Sequence, residues 1–63
     1  MTQKELLYFE DAVGHEEAII EICTSAKENL EDEDLVSFME DDISLHEGLR
    51  DDLISLMEDK VNE

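Results

Sequence analysis

The sequence predicts an all-α fold, an antiparallel hairpin of two long helices. Three observations lead to this prediction. The chain contains no proline and only two glycines, Gly14 and Gly48, so few residues interrupt a helix. Its apolar residues recur every three or four positions, which is the helical period. Finally, the polar stretch between the two apolar series is short, spanning about residues 28–34.

The first helix is expected over about residues 3–29. Its apolar series ends just beyond Asn29, a residue type that commonly terminates helices. On a helical wheel the apolar stripe centres near Ala12, Ile19 and Cys23. The members of this series are Leu6, Phe9, Ala12, Val13, Ile19, Ile20, Cys23, Ala26 and Leu30.

The second helix is expected over about residues 33–61. Asp32 is a suitable N-cap, and Glu33 and Asp34 then lie in the first turn, where the helix dipole favours acids. The wheel places the centre of this apolar stripe near Leu35, Leu49 and Leu53. The series consists of Leu35, Phe38, Met39, Leu45, Leu49, Leu53, Leu56 and Met57.

A short connection makes the two helices fold back on each other, so residues 1–63 form a single helical hairpin. Both apolar stripes are broad, and one neighbouring helix cannot cover either of them. We therefore expect the chain to be a homo-oligomer. The simplest form is a dimer in which two hairpins make a four-helix bundle.

The charge of the chain excludes some classes of partner. Twenty Asp and Glu against four Lys and Arg give a formal net charge of −16. This charge repels nucleic acid and anionic membrane surfaces, so neither is an expected partner. The single cysteine, Cys23, forms no intrachain disulfide and is expected to be a small core residue. A lone thiol agrees with a cytoplasmic location.

Three ionisable residues fall within the apolar stripes. They are Glu16 on the first helix and Asp42 and His46 on the second. If the connection centres near residues 30–31, residues whose numbers add up to about 61 lie at one level of the hairpin. Glu16, Asp42 and His46 then meet halfway along it, with His15 at the edge of the stripe. The same rule places Asp11 opposite Arg50 as an ion pair.

Carboxylates taken out of water need a counter-charge, a metal ion or a proton. Glu, Asp and His provide the oxygen and imidazole donors that iron, manganese and zinc accept. The sequence thus predicts a transition-metal site made by Glu16, Asp42 and His46, with His15 as a further ligand and iron as the expected metal. The alternative is a metal-free network in which a protonated His46 lies between the two carboxylates.

With these residues in place, the sequence resembles the ferritin-like helical-hairpin group, which includes half-ferritins and short spore-coat proteins of the coat F type. The resemblance covers most of the chain as a pattern, from Lys4-Glu5-Leu6-Leu7 through Asp11-Ala12-Val13-Gly14-His15-Glu16 to Leu45-His46. Asp42-x-x-x-His46 stands where that group has Glu-x-x-His. The resemblance implies a di-iron site completed by dimerisation, with storage or oxidation of iron, or a structural role as in the coat-type members.

Two further classes of function remain open at this stage. One is a non-catalytic structural or interaction hairpin without a ligand. The other is an acidic mimic that occupies a basic site on another protein. The acidic run at residues 31–34 does not have the spacing or the glycine of an EF-hand loop, and it is interpreted as helix capping.

Overall fold

A computed structural model describes all residues of the chain, 1–63, as two α-helices packed against each other. Helix α1 spans Gln3–Glu28 and α2 spans Glu33–Val61, with a four-residue connection between them. The predicted bounds are confirmed to within one residue. The molecule is elongated, with principal extents of 47 × 15 × 10 Å. Neither helix is long and apolar enough to cross a membrane.

Helix α1 begins with a capping box. The Thr2 hydroxyl accepts a hydrogen bond from the Glu5 backbone N–H at 3.1 Å, and the Glu5 carboxylate accepts one from the Thr2 N–H at 2.8 Å. The hydrogen bond from the Thr2 backbone N–H, with a further contribution from the Thr2 hydroxyl, holds the pKa of Glu5 below its ordinary value. At the other end, the Asn29 side-chain amide donates to the Ser25 carbonyl at 2.8 Å. Asn29 therefore ends α1, as predicted.

Helix α2 begins at the predicted N-cap. Asp32 Oδ1 accepts hydrogen bonds from the backbone N–H groups of Asp34 at 2.9 Å and Leu35 at 3.1 Å. Two of the N–H groups that lack a partner inside the helix are thereby satisfied. Because the caps on both sides of the connection are local, they fix its length and with it the level at which residues of α1 and α2 meet.

The two helices meet along a seam of half-buried residues at alternating spacings of three and four. This spacing keeps one side of each helix facing the other over their whole length. We call this row of residues the seam. Its members are Leu6, Phe9, Val13, Glu16, Ile20, Cys23 and Lys27 in α1, Leu30 in the connection, and Val36, Met39, Ile43, His46, Arg50, Leu53 and Met57 in α2.

The single hairpin has no fully buried residue. This confirms that one neighbour cannot cover the apolar stripes. Helix α1 covers the α2 stripe to one side of its predicted centre: Leu53, Val36 and Ile43 are half-buried, whereas Leu35 and Leu49 are exposed. The helical wheel averages all apolar positions of α2, and these positions extend beyond the strip that α1 covers.

Candidate functional site

A polar network lies in the middle of the seam. His46 Nδ1 is 2.5 Å from Glu16 Oε2, and His46 Nε2 is 3.6 Å from Asp42 Oδ1. Asp42 Oδ2 in turn accepts a hydrogen bond from the Cys23 thiol, with 3.2 Å between sulfur and oxygen. Four side chains from two helices therefore form one continuous chain of polar contacts.

The seam explains why these side chains meet. Glu16 on α1 and His46 on α2 occupy seam positions at the same level, so the carboxylate and the imidazole approach directly across the interface. Asp42 precedes His46 by four residues and lies on the same side of α2, one turn away. The side chains are largely withdrawn from water, with exposed fractions of 18% for Glu16, 20% for His46 and 29% for Asp42.

The network contains one member that the sequence analysis treated as a simple core residue. Cys23 donates to Asp42, and this hydrogen bond raises the pKa of the Cys23 thiol. Partial burial and the negative charge of Asp42 act in the same direction. The level rule contained a usable signal, because it places Asp42 within about one turn of Cys23.

Two other predicted participants lie elsewhere. His15 is exposed and makes no hydrogen bond or ion pair with the network. The predicted Asp11–Arg50 ion pair does not form, because Arg50 Nε donates to its neighbour Asp51 at 3.1 Å. An adjacent carboxylate is reached without bridging the two helices, which explains the preference.

The donor side chains are not arranged around a common point. No three or more His, Cys, Asp or Glu side chains are placed so that they could hold a metal ion together. Instead both imidazole nitrogens are directed at carboxylates, one as a close hydrogen bond and the other as an ion-pair contact. In this arrangement the ring acts as a bridge between Glu16 and Asp42.

The chain matches no protein-family model, and no curated protein or solved structure matches it at a significant level. The likeness to the ferritin-like group therefore stays a prediction.

The Cys23–Asp42 contact leads to a testable prediction about thiol reactivity. The thiolate is the reactive form of cysteine, and the hydrogen bond to Asp42 disfavours it. Asp42→Asn removes the negative charge, so Cys23 is expected to react several-fold faster with iodoacetamide at pH 8. Asp41→Asn is the matched control, because Asp41 is exposed and lies next to Asp42 in the sequence. Equal rates in both variants would contradict the assigned contact.

Proposed function

We propose that this chain is a non-catalytic, self-associating interaction hairpin whose internal polar network sets the alignment of its two helices. The observation that carries the proposal is the position of His46 between Glu16 and Asp42. A doubly protonated imidazole has a donor on each ring nitrogen, so it can donate a hydrogen bond to both carboxylates without a metal ion. A cytoplasmic location, where a free thiol is stable, is part of the proposal.

The network selects one alignment of the hairpin. If α2 slid by one turn in one direction, Glu16 would face Ile43 and its half-buried charge would lose its partner. A slide in the other direction would bring Arg50 opposite Glu16 and leave His46 opposite Ile20, without its carboxylate partner. An unpaired, partly buried carboxylate is costly, whereas sliding apolar residues past one another costs little. Single polar residues in helical seams commonly act in this way to choose register. We assign this role to Glu16 and His46.

A second candidate function is transition-metal binding, iron being the expected metal, at Glu16, Asp42 and His46. Cys23 favours this candidate, because it adds a sulfur donor beside Asp42. His15 would join only through another copy or a movement of α1. A metal would have to replace the proton on His46 and draw the donors around one point. Storage or oxidation of iron, as in the ferritin-like group, would further require two chains to complete a di-metal site.

One experiment separates the two candidates. Thermal unfolding is measured in chelator-treated buffer and then with excess Zn(II) or, without oxygen, Fe(II). The interaction hairpin is expected to unfold at the same temperature in all three conditions. A resident metal present at 100 times its Kd would instead stabilise the chain by about 2.7 kcal/mol, or about 10–20 °C.

The matched control for this experiment is Glu16→Ala/His46→Ala. Calorimetry of the wild type and this variant with the same metals shows whether the heat of metal binding comes from binding at the network. Tight binding that the variant loses would replace our first proposal by the second. Equal and weak binding by both proteins would reject the metal site, because the remaining acids bind cations only weakly.

A further inference from the structure

One side of the hairpin carries large apolar side chains that α1 and α2 leave uncovered. On α2, Phe38 is 64% and Leu45 59% exposed, and on α1, Tyr8 is 62% and Ile22 67% exposed. Both sets continue the alternating three- and four-residue spacing beside the seam. We call the set the outer face. It comprises the exposed residues Tyr8 and Ile22 on α1 and Leu35, Phe38, Leu45, Leu49 and Leu56 on α2, together with the half-buried Ala12, Ile19 and Ala26 beside them on α1.

The two halves of the outer face lie on the same side of the molecule. Along each helix, the spacing between seam residues alternates between three and four. In an antiparallel pair, the residues that come directly before a seam residue reached by a spacing of four lie on the same side of both helices. By the level rule, Ala12 therefore lies opposite Leu49 and Ala26 opposite Leu35, on one side of the molecule. The opposite edge of the seam is mostly acidic instead, with Glu10, Glu17, Glu40 and Glu47.

The surface area of the hairpin indicates how much of this face a partner would cover. The chain exposes 4847 Å². A compact monomer of 7.3 kDa exposes about 4,200 Å², so this hairpin has an excess of about 700 Å². A stable protein–protein interface buries about 800 Å² on each partner. Covering the outer face once would bring the chain close to the exposure of an ordinary folded protein.

The two halves of the outer face also differ in side-chain size. The α2 half carries a phenylalanine and four leucines, whereas the α1 half includes Ala12 and Ala26. Next to it, Ala18, Glu21, Ile22 and Ser25 line a shallow groove on α1. Large side chains of one copy can therefore pack on small ones of another. This match is reciprocal under two-fold symmetry, which is the requirement for a closed dimer.

We infer that the outer face is the docking surface for a second copy of this chain, with α2 of each copy packed on α1 of the other in a four-helix bundle. This inference rests on the self-association proposed above and adds the surface and the arrangement. A second copy is the occupant that the size match and the missing area favour. A hairpin without any buried residue needs such cover, and small folds commonly obtain it by oligomerisation.

Charge gives this dimer a characteristic salt dependence. Each copy has a net charge of −16, and Asp34, Asp41, Asp52 and Asp59 border the α2 half of the face. Salt screens repulsion between exposed like charges. The dimer should therefore tighten as salt increases. A basic helical partner on the same face would be held by attraction and would weaken with salt.

Sedimentation equilibrium of the full chain tests the inference. The wild type is expected to be a dimer, and Leu45→Glu is expected to weaken the dimer about 30-fold or more, because it places an unpaired carboxylate in the interface. The matched control is Ser44→Glu, which adds the same charge one residue away and off the outer face. It should weaken the dimer far less.

A cross-linking measurement covers the case in which Leu45→Glu fails to fold. In a Cys23→Ser background, Ile22→Cys/Phe38→Cys should form a disulfide-linked dimer on mild oxidation, because α1 and α2 of different copies meet there. The control pair Glu17→Cys/Glu47→Cys, on the opposite edge, should not link two copies.

The outcomes separate the inference from the proposed function. A dimer that Leu45→Glu leaves intact, or that links through the control pair, would overturn the docking surface while self-association stands. A wild type that stays monomeric at all concentrations would overturn both. A monomer that binds a basic amphipathic helix, more weakly with added salt, would assign the face to a different partner.

Discussion

Replacing both glycines, Gly14→Ala and Gly48→Ala together, is expected to raise the free energy of unfolding by about 2 kcal/mol. Both glycines lie inside helices, and neither has a positive φ angle. Apart from the two adjacent residues and the nearby backbone of its own helix, a Cβ atom added at either position meets no atom within 4 Å. The alanines therefore gain helix propensity without steric cost. Urea unfolding at fixed protein concentration measures the change.

The two single variants serve as internal controls, because each should contribute about half of the effect. Gly14 and Gly48 lie outside the seam and are not in contact with the polar network. A destabilising Gly48→Ala would show that the backbone at this position is approached closely by another chain. That result would extend the proposed interface beyond the outer face.

His46→Leu is expected to lower the free energy of unfolding by about 2 kcal/mol in metal-free buffer. It removes the imidazole that contacts both Glu16 and Asp42 while leaving both carboxylates partly buried. The triple variant Glu16→Leu/Asp42→Leu/His46→Leu should instead be as stable as the wild type or more stable, because no charge is left in the seam. This pair of results is what the proposed role in register, and not in net stability, predicts.

His15→Gln is the matched control, because His15 is exposed and outside the network, and glutamine keeps this position polar. It should change stability by less than about 0.5 kcal/mol. If the triple variant lost as much stability as His46→Leu, the network would be a net stabilising feature and the register role would be unnecessary. If His46→Leu left the free energy of unfolding unchanged, the contacts of the imidazole with the two carboxylates would not stabilise the hairpin.

Much of the fold and part of the site were predictable from the sequence, because both follow from local rules. Asp32 and Asn29 mark helix ends through hydrogen bonds to nearby backbone groups, so their role is readable in a short window. The meeting of Glu16 and His46 follows from the length of the connection alone. Once both helix ends are placed, the level of every residue in the hairpin is set.

The remaining features depend on information that periodicity does not contain. The apolar arc of α2 is wider than the strip that α1 covers, and a helical wheel cannot tell which part of the arc that strip is. The exposure of Leu35 and Leu49 was therefore not predictable from it. Cys23 counts as apolar in such a pattern, although its thiol donates to Asp42. Arg50 has acidic residues within reach on both helices, and only the structure shows that it pairs with Asp51.

The short connection between α1 and α2 also bears on how fast the chain assembles. The hairpin has no proline, so no slow isomerisation delays it, and its two helices are joined by only four residues. Helical folds with such local connections form in microseconds to milliseconds. A meeting of two copies is slower and scales with their concentration. In a dilute solution the encounter between hairpins, and not the folding of each, would therefore set the time needed to reach the assembled state.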